Sequence, residues 1–183
     1  MIRLNVMMRR IAVALAACAG VAACVSSYKQ AADTAPHATI EFVKGYTSGL
    51  GFGTSTGQQY YVLQGETCEG RQRAAFFTWM FGGDSKVQRI AANQPIHLSA
   101  VTAFGHVSGV GNSGAGVYAV TDSDYCYARA QFTPQEGHTY DVVQAEQSPA
   151  VCELQVTDTN TGEAPPDLVL NNNTGCPYST LTP

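Results

Sequence analysis

Cys68, Cys126, Cys152 and Cys176 stand 58, 26 and 24 residues apart. Cysteine can ligate a metal, attack a substrate or close a disulfide, and spacing discriminates among these. A four-thiolate zinc site is built on C-x₂₋₄-C knuckles, and none occurs here. An even number of cysteines in an exported chain instead predicts two disulfides, with three possible connectivities. His37, His97, His106 and His138 have no i, i+4 partner on a helix and no H-E-x-x-H context, so no metal ligand is assigned. Gly111-Asn-Ser113-Gly lacks the G-x-S-x-G of a nucleophile elbow, and His106 lies too near in sequence for the usual triad layout. The glycine-rich stretch 48–57 matches neither G-x-G-x-x-G nor a P-loop. A strand signal follows it where a phosphate cradle needs a helix, which argues against nucleotide binding. Asp122-Ser-Asp124 offers two carboxylates without the glycine and distal glutamate of a calcium loop, and reads as a turn. A glycosidase-type acid pair must face across a cleft, which sequence spacing does not reveal. Most acids fall at turns or outward strand positions, the pattern of a solvated surface. No catalytic residue, metal site or cofactor is assigned.

The elements that would carry these residues begin with a leader. Arg3, Arg9 and Arg10 precede an apolar run from Ile11 to Val21. It is about half the length needed to span a bilayer and reads as the core of a secretion signal. The run closes in Val21-Ala22-Ala23-Cys24, an aliphatic residue, two small ones and a cysteine, which resembles the lipobox of bacterial lipoproteins. The resemblance implies that residues 1–23 are removed, that the Cys24 thiol takes a diacylglyceryl group, and that its freed amine takes a further acyl chain. Several chains at about 0.8 kcal/mol per buried methylene anchor stably, where one binds only marginally. Leu15-Ala16-Ala17-Cys18 is a second match, and Ala17-Cys18-Ala19 also fits ordinary signal peptidase, so Cys18 and simple secretion stand as alternatives. Val25 is not the aspartate that retains such lipoproteins in the inner membrane, so the resemblance implies the outer membrane, periplasmic face.

Removal of the three leader arginines leaves seven basic against fourteen acidic residues, a net charge of −7. An acidic chain without basic clusters makes nucleic acid an unsuitable partner. Residues 24–37 lack an apolar period and read as the lipidated cysteine and a flexible tether. Residues 38–183 are long enough for one domain with a proper core.

Period-two alternation marks strands around Ile40 and Phe42 and at 96–102, further strands are read at 59–63 and 86–90, and the density of aromatic residues over 74–81 argues for a strand with both faces largely covered. Residues 104–116 hold five glycines and little else that packs. Tyr118–Thr121 resumes a strand. Cys126, Ala128, Ala130 and Phe132 share one strand face, and Cys152, Leu154 and Val156 share another. Two cysteines at corresponding ends of apolar faces favour a Cys126–Cys152 bond, leaving Cys68 to fasten the tail through Cys176. A flat three-strand meander would hold the outer strands about 9.6 Å apart, too far for a disulfide. The bond therefore requires the cysteines to meet beyond the middle strand, or a change of sheet. Residues 158–183 read as turns and an irregular tail.

The pattern C-x₅-F-x-P-x₂-G-x₂-Y-x₁₁-C-x-L-x-V-x-D, which begins at Cys126, resembles the closing half of small bacterial lipoproteins with Ig-like or transthyretin-like domains. It covers about a fifth of the chain and carries over no site. The expected fold is all-β, a single antiparallel sandwich after signal peptide and tether. The expected function is a non-catalytic, membrane-anchored structural or binding module of the cell envelope with a possible envelope protein partner. The competing readings are a small lipoprotein subunit of a secretion machine and a tethered periplasmic hydrolase.

Overall fold

The computed structural model describes residues 26–45, 55–78, 82–113, 116–148, 151–172 and 174–177. Among these described residues ten strands form: β1 (Ser26–Ser27), β2 (His37–Val43), β3 (Ser55–Leu63), β4 (Gln72–Thr78), β5 (Ser85–Ala91), β6 (Ile96–Ser113), β7 (Gly116–Phe132), β8 (Thr139–Ser148), β9 (Val151–Asp158) and β10 (Val169–Asn172). Among the described residues there is no helix. One sheet runs β1-β4-β3-β6-β7-β10 and the other β5-β2-β8-β9.

The fold is all-β as expected, but the sheets are mixed rather than antiparallel. β1 pairs parallel with β4, and β2 parallel with β8. Parallel neighbours need a long crossover connection. Between β2 and β8 that connection visits the other sheet, through β3 and β4 and again through β6 and β7.

Alternation explains the shared core. In β2, Ala38, Ile40 and Phe42 are buried, and in β7 so are Cys126, Ala128, Ala130 and Phe132. The alanines of β6 and β7 leave room for rings. Phe42 lies 5.1 Å from Tyr60, Tyr60 6.1 Å from Phe77, and Phe132 5.0 Å from Tyr140. Leu154 and Val156 of β9 close the same cluster from the second sheet. A smaller cluster of Tyr61, Leu63, Val101 and Cys176 lies apart from it. There residue 175 runs so close to the sheet that a Cβ on Gly175 would come within 2.8 Å of Tyr127 Cβ.

Three segments depart from expectation. The stretch 24–37 was expected to be a free tether, yet from Ser26 onward it is strapped to the domain. Tyr28 N donates to Arg73 O, Ala31 N to Arg89 O, and Asp33 pairs with the Arg89 guanidinium. Of the stretch 104–116, residues 104–113 and 116 are strand rather than loop, and 114–115 lie outside the described residues. β6 and β7 continue as one antiparallel ladder to Ser113↔Gly116, with Asp122–Asp124 inside β7 instead of at a turn. Glycine has low strand propensity, but cross-strand pairing can override it. The tail is held by more than Cys176: β10 pairs with β7, Asp167 accepts from Thr133 N, and Asp158 bridges to Glu163.

Candidate functional site

The two disulfides join the cysteines in the favoured pairing. Cys126–Cys152 links β7 to β9, hence one sheet to the other, with Cα atoms 5.7 Å apart. The spacing objection is met by a change of sheet: residues 133–138 carry the chain from β7 across to β8, so the strands of Cys126 and Cys152 face each other. Cys68–Cys176, with Cα atoms 5.5 Å apart, ties the β3–β4 connection to the tail. Cys18 and Cys24 lie outside the described residues.

Beside Cys126 the core ends in a polar layer. Gln58 Nε2 donates to Thr102 Oγ1 (3.0 Å) and Gln144 O (2.9 Å), and Thr102 Oγ1 donates to Gln144 Oε1 (2.9 Å). Tyr60 Oη donates to Val43 O and accepts from Gln144 N, both at 2.8 Å. Burial pushes the Tyr60 phenol far above its ordinary value of 10.0, partly offset by the bond from Gln144. Gly45 N donates to Gln58 Oε1, and a Cβ at Gly45 would overlap the Gln144 carbonyl, so only glycine fits this crossing. Buried amides satisfied in this way stabilise one arrangement of the two sheets. They activate no nucleophile.

Among the described residues His138 and Asp158 form a histidine–acid pair. His138 Nδ1 lies 2.7 Å from Asp158 Oδ2, and Asp158 Oδ1 accepts from Asn160 N. The pair closes a turn: Asp158 O also accepts from Gly162 N, and Thr159 N donates to Thr139 O. A cavity of about 250 Å³ beside the Cys68–Cys176 bond is lined by His97, Glu66 and Arg129. There the Arg129 guanidinium donates to Glu66 O and to Cys68 Sγ, so the arginine braces a disulfide and a loop. That volume is below the usual range for small-molecule sites. A groove of about 570 Å³ opens between the edges of β4 and β5, where Tyr28 crosses near Arg73, Lys86 and Gln88. Gln88 Nε2 donates to Ala74 O.

Two acids, Glu41 and Asp141, are register partners on parallel β2 and β8. Asp141 is held above the usual carboxylate range, chiefly by burial and further by Glu41. Neither acid lines either of these two cavities. Among the described residues no group of three His, Cys, Asp or Glu is placed to hold a metal, and no helix is long and apolar enough to cross a membrane.

The most distinctive surface is the far part of β6 and β7. β3 accompanies β6 only to Ser55↔Gly105, and β10 accompanies β7 only along 128–131. Beyond Gly105, residues 106–113 and 116–122 pair with each other and, among the described residues, with no third strand. Eight residues at about 3.4 Å each make a two-stranded ribbon roughly 27 Å long. Sequence reasoning missed it because the glycines read as loop. The available signal was the absence of Asp, Glu, Lys and Arg from Ile90 to Thr121.

No protein-family model, curated protein or solved structure matches the chain.

Proposed function

We propose that this chain is a non-catalytic, lipid-anchored module of the bacterial envelope, held at the periplasmic face of the outer membrane by acylated Cys24, which presents the β6–β7 ribbon to a protein partner. The finer architecture belongs to the same proposal: an Ig-like or transthyretin-like sandwich formed by the two mixed sheets. The observation that carries the reading is the polarity of the strand register. Ser26 pairs with Gln72, and Gln72 with Val62, at the end of the six-stranded sheet where β6 begins. Cys24 is two residues before Ser26 and so within about 8 Å of that end. The ribbon leaves from the opposite end. An anchored molecule would stand with its ribbon pointing away from the lipid, separated from it by the disulfide-tied body.

The test is metabolic palmitate labelling of wild type and Cys24→Ala. Label in the wild type and none in the variant is the expected result. An unlabelled wild type overturns the anchor.

A further inference from the structure

We propose that neighbouring copies of this chain pair through their ribbons, β6 of one copy against β7 of the next, in an antiparallel head-to-tail array. An isolated two-stranded hairpin is at best marginally stable in water. Exposed edges are normally blunted with lysine, proline or very short strands. Over 106–113 and 116–121 this ribbon holds no lysine, arginine, acid or proline, and past the irregularity between Val107 and Gly109 the pairing runs on to Ser113↔Gly116. Among the described residues no third strand takes up its outer backbone groups, and a strand from another copy would pair them.

Charge identifies the occupant. The mature chain is strongly acidic, so two copies repel over most of their surfaces, and the ribbon is the stretch where they can approach without like charges meeting. Its one acid, Asp122, lies opposite His106 within the hairpin. Orientation follows from the anchored reading, on which this inference rests. Two copies standing upright on one membrane can meet β6 to β7, β6 to β6 or β7 to β7. Only the first is antiparallel, and in matching register it again sets Asp122 beside His106. A β7-to-β7 contact in matching register would set Asp122 beside Asp122. Such a heterologous contact propagates, closing into a ring or extending as an array.

The test places a photo-crosslinking amino acid at Val110 in cells that express the full chain. Adducts at multiples of the chain mass, with Val110 joined to residues 116–122 of another copy, are expected. Ala119→Lys should lower their yield at least about tenfold, since the pairing would set a charge with no counter-charge opposite residue 110 of the next copy. Adding Asn112→Glu to the copies that carry the crosslinker, and mixing them with copies carrying Ala119→Lys, should restore it, because 112 and 119 are diagonal neighbours on one face of the β6–β7 register. This separates lost pairing from lost folding. No adduct, or adducts with a different protein, overturns self-pairing. Palmitate labelling of the same samples separates the two readings. Labelled protein without adducts ends the pairing proposal, and unlabelled protein with adducts ends the anchor.

Discussion

β6 and β7 are one continuous pair of strands in two environments. Below Gly105 they are flanked by β3 and β10 and covered by the second sheet, and Leu98, Ala100, Ala128 and Ala130 are all buried. Beyond it the same ladder continues with no third strand beside it among the described residues. The β6–β7 ladder runs through the upper part, whereas apolar burial, a polar layer and two disulfides hold the lower. The difference teaches that the length of a strand and the extent of a core are set separately. The core ends where Gln58, Thr102 and Gln144 bond to one another, and the ladder does not.

The sharpest way to break this contrast is truncation on either side of the boundary. Phe132→Ala removes a ring packed on Tyr140 and should cost about 3–5 kcal/mol in urea unfolding, while Val110→Ala should stay within about 0.5 kcal/mol. Equal losses would mean that the ribbon shares the core. Next in size is the sheet-to-sheet bond. Replacing Cys126 and Cys152 together with serine opens a loop with a sequence separation of 26. It should cost about 3.5 kcal/mol in the chain-entropy account, read as a drop in Tm. Hydrogen exchange should then quicken first in β8 and β9 near Gln144, leaving the base under Cys68–Cys176 protected.

A smaller effect marks the boundary itself. Tyr60→Phe removes the hydroxyl that Val43 O and Gln144 N both use, at a cost of about 1–3 kcal/mol. It also changes the alkaline limb. Because burial raises the Tyr60 value in the folded chain, the unfolded chain loses its proton first, near 10. Stability from this group is full below that pH and falls above it. Wild type should therefore weaken between pH 10 and 12 more steeply than Tyr60→Phe, as read by urea unfolding across that range.

Alternation of Ile40 with Phe42, Ala128 with Ala130 and Leu154 with Val156 made the strands and their buried faces readable one at a time, because a strand's side-chain period is local. The positions of Cys126 and Cys152 on such faces also made their pairing readable. The direction of β2 beside β8 was not, since parallel pairing depends on strands nearly a hundred residues apart meeting in space. The ribbon was hidden because glycine's local preference is for turns, and only the cross-strand ladder overrides it. By itself the sequence determined which residues avoid water and which cysteines could be spared for covalent ties. The tertiary structure decided which sheet each strand joined, that Ser26 enters at one end and that β6–β7 leave from the other. Those depend on contacts between distant segments, and no local pattern encodes them.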